Sequence, residues 1–351
     1  MSHFKTLNQI ADIISFNNDK TQLLKTLKSN TIDWDSIVKI GSQHLVLPTI
    51  YYRLEQQSLL HYLPSDLNTY LSEIASINQN RNKTLLSEIN FISELFNQHK
   101  INHVFLKGSA LIVAGYYNTI GERMIGDIDI LVDKDQLIRA NNLLIAEKYN
   151  PLPQTFGYKY FGHKHLPRLV HPNNFGAVEL HEYLIVKPFD NYINLANVLS
   201  NKQCINNVNV PCPIDLLYHN ALNYQINDNG YAYTNLSLRS AYDCIVILDK
   251  HGDINTKTIK PNRKISAYFH IIGLHFRDLS SISKSPLMKL KVTLYRTKVK
   301  HKIFFQFWNT VIKYGLKIQI ITLRSFKFIF NQNYRKDVIT DRNRILKILN
   351  K

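Results

Sequence analysis

A chain of 351 residues, 45% of them apolar, is long enough for two or three packed units, each with its own core. Its three cysteines, Cys204, Cys212 and Cys244, are too few and too irregularly spaced for a disulfide framework or a zinc knuckle. Met1 to Lys5 open no signal-peptide stretch, so the expectation is a soluble, cytoplasmic protein in a reducing compartment. The formal charge of +17 is uneven: Lys257 to Lys351 hold 22 Lys and Arg against three Asp and Glu, a net +19, which leaves the rest of the chain at −2. Such a region suits a polyanion or an anionic membrane surface as partner, with peripheral membrane contact, or else a solvated face.

Residues 1–100 read as helical. They are poor in Gly and Pro, and Leu71, Ile74, Ile77, then Leu85, Ile89, Ile92 and Phe96, recur at helical spacing. This predicts one long amphipathic helix or a pair over Leu67 to Gln98. From residue 101 the pattern changes. Val104-Phe105-Leu106 reads as a strand, Lys107-Gly108-Ser109 as a tight turn, and Ala110 to Ala114 as a helix start. Ile128 to Val132 reads as a second strand, Asp133 and Asp135 cap a helix through Leu143 and Leu144, and Ala177 to His181 make a third strand. Pro151 to Pro172 reads as loop or hairpin. The order predicts an α+β fold, a small mixed β-sheet over 101–200 flanked by helical regions at 1–100, 201–256 and 257–351. Asp249 to Pro261 reads as a connection to the basic region. There, Ile303 to Phe330 is rich in apolar and aromatic residues, but Lys313, Lys317, Arg324 and Lys327 interrupt it. It suits an amphipathic helix better than a membrane span, with Phe304, Phe305, Phe307, Trp308, Phe326, Phe328 and Phe330 packed partly inward and the region forming a unit of its own.

Asp127 and Asp129 stand two apart on the second strand, so their carboxylates project from one face while Ile128 and Ile130 point to the other. Two adjacent carboxylates repel and call for a cation; Mg²⁺, which takes carboxylate and phosphate oxygens, is the natural one. One element earlier, Gly108 lets the backbone approach a ligand, and the free N–H groups of the helix start with the Ser109 hydroxyl suit an anion such as a triphosphate. Lys107 would add positive charge there. Glu179, on the third strand, offers a third carboxylate for metal ligation or for taking a proton from an attacking hydroxyl, and His181 shares its face.

The run Phe-Leu-Lys-Gly-Ser-Ala-Leu (105–111), Arg123, Gly-Asp-Ile-Asp-Ile-Leu-Val (126–132) and Val-Glu-Leu-His (178–181) resembles a bacterial nucleotidyltransferase-like family of the DNA polymerase beta superfamily. Fainter likeness extends to Trp34, His44, Pro48, Asp215, His219, Arg239 and Asp243, over roughly residues 30–250. The resemblance implies transfer of a nucleoside monophosphate from an NTP to an acceptor hydroxyl. Gly108 and Ser109, with Lys107 and Arg123, would hold phosphate; Asp127, Asp129 and Glu179 would hold Mg²⁺ or Mn²⁺. Two departures stand out: seventeen residues separate Ser109 from Asp127, and the third acid is Glu where many members have Asp. The acceptor is left open among RNA, protein, carbohydrate and small molecules. The alternative is an inactive nucleotide-binding protein that docks through its basic region on RNA, an acidic polymer or a membrane.

Overall fold

The computed structural model describes residues 3–29, 32–154, 157–252, 262–279 and 288–340; most of the expected connection up to Pro261 and the last eleven residues lie outside these. The N-terminal region is helical because its apolar residues recur every three or four positions and its helices start on side-chain caps. Helix α1 (His3–Ile14) buries Leu7, Ile10, Ala11 and Ile14. The carboxylate of Asp19 accepts from Gln22 N–H at the start of α2 (Lys20–Lys28), and that of Asp33 accepts from Ser36 N–H before α3 (Trp34–Gln43). Pro48 occupies the first turn of α4 (Leu47–Gln56), where no amide is needed. Helix α5 (Ser65–Gln98) is a single run of 34 residues. Its predicted apolar face holds except at Ile77, which is 68% exposed.

The predicted mixed sheet is present, with five strands in the order β1 (His103–Phe105), β2 (Ile128–Val132), β5 (Ala177–His181), β4 (Leu169–Val170), β3 (Asn150–Pro151). Strands β2 and β5 run parallel and the other pairs antiparallel. Thus the segment read as loop or hairpin closes with two-residue pairings at the sheet edge. Helix α6 (Lys107–Val113) follows β1, and α7 (Leu137–Ala146) follows β2. The predicted turn at 107–109 is therefore the first turn of α6 itself. Helix α8 (Leu195–Ser200) leads to a hairpin, β6 (Gln203–Ile205) with β7 (Val208–Val210), whose Asn206 and Asn207 both take positive φ, as a tight two-residue turn requires.

The remaining helices are α9 (Pro213–Leu222), α10 (Gly230–Tyr233), α11 (Leu238–Lys250), α12 (Arg263–Ile272), α13 (Lys289–Lys300), α14 (Lys302–Phe330) and α15 (Gln332–Thr340). One continuous apolar cluster runs from Leu7 through the sheet to Tyr268 and Phe276, and on to Tyr295 and Val299. Asn17 N–H donates to the Asp278 carboxylate at 2.9 Å, and Phe4 packs on the His275 ring at 4.9 Å. The first half of the basic region is thus built into the common core rather than standing apart. Helix α14 departs further from expectation: none of its residues is buried, and Phe307, Phe326 and Phe330 are exposed. Of the seven aromatic residues expected to pack inward, Phe304, Phe305, Trp308 and Phe328 are half-buried.

The seventeen-residue connection ahead of Asp127 is held by α5. Asn78 Nδ2 donates to the carbonyl oxygens of Gly121 and Arg123, at 2.7 and 3.1 Å, and Asn82 Nδ2 to that of Arg123 at 2.8 Å. Arg81 donates to the carbonyls of Ile125 and Gly126. These bonds fix where β2 begins, and so where its two aspartates stand.

Candidate active site

Parallel pairing of β2 with β5 sets Asp129 opposite Glu179 and Leu131 opposite His181. Because alternate residues share a face, Asp129, Glu179 and His181 converge. One ligand atom from each of the three lies within 4.8 Å of the others. All three are buried. His181 Nε2 is 2.8 Å from Asp129 Oδ1 and 3.3 Å from Glu179 Oε2. Asp127 lies one residue before β2 and keeps its side chain 32% exposed.

Two cations complete the cluster. Lys107 Nζ lies 2.6 Å from Asp129 Oδ1. Lys107 starts α6 with φ of 51°, a left-handed conformation that is costly for a side chain with a Cβ. The residue before it, Leu106, donates its N–H to the Asp129 carbonyl at 2.8 Å, so the sharp turn carries the ammonium straight to the carboxylate. Arg168 Nε is 2.5 Å from Glu179 Oε1, and Arg168 Nη2 is 3.3 Å from Asp127 Oδ2. His165 Nε2 stands 3.6 Å from Glu179 Oε2.

The electrostatics separate the three acids. Burial alone would raise Asp129, but the Lys107 charge and the His181 hydrogen bond override it and hold the carboxyl well below the usual range. Glu179 is likewise opposed by burial, yet the His181 hydrogen bond and the charges of His165 and His181 bring it to about 2. Asp127 is raised, first by burial and then by repulsion from Glu179 and Asp129, which Arg168 only partly offsets. Burial works against the Lys107 ammonium, but Asp129 outweighs it and the pKa rises.

The remaining expected residues divide. Gly108 and Ser109 are buried in the first turn of α6. The Ser109 hydroxyl has no hydrogen-bond partner among the described residues. A Cβ on Gly108 would lie 2.7 Å from an Arg123 guanidinium nitrogen and 3.1 Å from Ile125 Cγ1, so this glycine is required by packing. Arg123, expected at the triphosphate, is instead in a buried ion pair: Nη2 lies 2.8 Å from Asp243 Oδ2, and Tyr117 Oη donates to Asp243 Oδ1 at 2.6 Å. Its charge is matched inside the protein, joining the long connection to α11.

Sequence reasoning missed the cationic loop Lys164, His165 and Arg168. The signal was present, three basic side chains within five residues just ahead of Glu179, but the segment carries no periodicity. It also gave no role to a narrow cavity of about 50 Å³ lined by Lys107, His219, Asp228 and Arg239, which the Arg123–Asp243 pair borders as well. His219 is buried and held neutral, at about 3, by burial and then by Lys107; its Nε2 has no partner among the described residues. Arg239 is half-buried and makes no hydrogen bond or ion pair among them; burial, then Arg123, lowers its pKa. A wider hollow of about 440 Å³, lined by Glu88, Tyr149 and His171, contains none of these residues.

Residues 30–264 match the family model described as Uncharacterised nucleotidyltransferase. The chain belongs to this nucleotidyltransferase family. No curated protein matches it. The match spans every strand among the described residues and helices α3 to α11, so the nucleotidyltransferase portion includes the sheet, the cationic loop and the helices that line the narrow cavity, and ends within α12.

Proposed function

We propose that the protein transfers a nucleoside monophosphate from an NTP to an acceptor hydroxyl with the help of Mg²⁺ or Mn²⁺. The observation that carries this reading is the pairing of Asp129 with Glu179 across parallel strands, His181 beside both and Lys107 on the same carboxylate. Two buried, ionised carboxylates and an imidazole nitrogen within 4.8 Å form a donor set suited to a divalent ion. A bound ion would neutralise phosphate charge and polarise the phosphorus under attack. Lys107, relieved of part of its pairing with Asp129, would turn to the phosphates. Among the described residues Arg239, His219 Nε2 and the Ser109 hydroxyl make no hydrogen bond, and they would add to what Arg123, paired with Asp243, can offer the phosphates.

In the reaction the acceptor oxygen bonds to the α-phosphorus, the bond from that phosphorus to the bridging oxygen breaks, and pyrophosphate leaves with the electron pair. The acceptor's proton needs a base. Glu179, at about 2, is too weakly basic, so of its two expected roles ligation is favoured. Asp127, raised and half-exposed, is the better proton acceptor.

The test is NTP binding by calorimetry with and without Mg²⁺. Asp129→Asn should abolish the metal-dependent part, whereas Asp127→Asn should retain binding and lose transfer. Unchanged Mg²⁺-dependent affinity in Asp129→Asn would refute the assignment.

A further inference from the structure

Helix α14 carries an unpartnered apolar face. Ile303, Phe307, Val311, Tyr314, Ile318 and Ile321 recur at spacings of three and four, which places them on one side of the helix. Their exposures run from 46% at Val311 to 83% at Ile303. At 29 residues the helix is about 43 Å long, at 1.5 Å per residue. No helix among the described residues is long and apolar enough to cross a membrane.

The charge beside this face has one sign. From Lys289 to Lys336 there are twelve Lys and Arg and no Asp or Glu. On a 3.6-residue helix the exposed Lys313 and Lys317 fall on the strip next to the apolar face. The opposite side is the anchored one. Trp308 Nε1 donates to the Tyr233 carbonyl at 3.1 Å. The buried Lys298 of α13 donates to the same carbonyl at 2.6 Å and to Asn235 Oδ1. Towards the far end, Arg324 lies over the Phe161 ring at 5.3 Å, and Tyr160 donates to Asp337 at 2.7 Å.

We infer that α14 is a membrane-surface helix, which lies in the headgroup region of a bilayer rich in anionic lipid with Ile303, Phe307, Val311, Tyr314, Ile318 and Ile321 inserted. An aliphatic and aromatic face flanked by cations and free of acids is complementary to that surface on both counts. A phosphodiester backbone would match the lysines but leave the isoleucines in water. A second copy of the chain would match the apolar face but bring two strongly basic strips together. The inference does not depend on the chemistry at Asp129.

The test is co-sedimentation of the full chain with vesicles of phosphatidylcholine alone or mixed with phosphatidylglycerol, with sedimentation velocity of the free protein alongside. The chain should pellet with the mixed vesicles, stay in solution with phosphatidylcholine, and run as a monomer. The pair Phe307→Glu, Ile318→Glu should keep the wild-type melting temperature and lose bound fraction by about tenfold or more, because both apolar insertion and charge matching are hit. Lys313→Glu with Lys317→Glu should weaken pelleting and reduce its sensitivity to salt. Failure to pellet with anionic vesicles, undiminished pelleting of the Phe307/Ile318 pair, or self-association abolished by that pair would each overturn the inference. So would misfolding of the pair, since it would show this face to be packed.

Discussion

Replacing Arg123 by Gln separates a packing role from a phosphate role. The guanidinium is buried against Asp243, with Tyr117 on the same carboxylate, so its loss leaves a buried carboxylate without a counter-charge. Urea unfolding should show a loss of about 3–5 kcal/mol, and Gly108→Ala should act in the same direction by driving a Cβ into that guanidinium. A fully stable Arg123→Gln protein with weakened NTP binding would restore Arg123 to the phosphates. Arg168 makes the opposite case. It bridges Glu179 and Asp127 from a half-exposed position, where it balances the charge that a metal ion would balance. Arg168→Gln should therefore raise the affinity for Mn²⁺, read by electron paramagnetic resonance as the free-ion signal falls. A lower affinity would mean that Arg168 positions the carboxylates instead of competing for them.

Among the elements, the strands and the long helix could be read because each carries its own period. The limits of β5 were predicted to the residue, and the two-residue rhythm from Asp127 through Ile130 named the acidic face before any fold was known. What could not be read depends on side chains that meet across the fold. Nothing local to Arg123 discloses Asp243, 120 residues away, and nothing local to Arg168 discloses Glu179 on the edge of the same acid cluster. The α14 aromatics were expected to pack partly inward because a region of such dense like charge repels itself and needs a core to persist. The structure leaves Phe307, Phe326 and Phe330 exposed.

Helix α13 offers a test at this scale. Lys298 is buried, and burial, then Lys291, lowers its pKa to about 7 from the ordinary 10.5. The unfolded chain therefore binds more protons than the folded one between these values. Stability should rise with pH from about 7 towards 10.5, by at most about 1.4 kcal/mol per pH unit from this group. Chemical denaturation of Lys298→Met and wild type over that range should show the difference slope disappear in the variant. Parallel curves would place the Lys298 pKa near its ordinary value.

At the scale of the whole molecule, one core joins the N-terminal helices, the sheet and helices α9 to α13, and the site lies where β2, β5, α6 and the cationic loop meet. That loop is also touched by the C-terminal helices: Lys159 pairs with Asp337 at 2.8 Å, and Tyr334 packs on the rings of Tyr160 and Phe161. Removing α14 and α15 should therefore disturb the setting of His165 and Arg168 as well as any surface contact. The proposed transfer takes place at Asp127, Asp129 and Glu179. Its most direct measurement is incubation of the full chain with Mg²⁺ or Mn²⁺ and each α-labelled NTP, with and without cell extract. Label should become fixed covalently to an acceptor from one or more NTPs, with equal release of pyrophosphate and no labelling by Asp129→Asn. Equal labelling by Asp129→Asn, or no labelling and no metal-dependent NTP binding by the wild type, would contradict it.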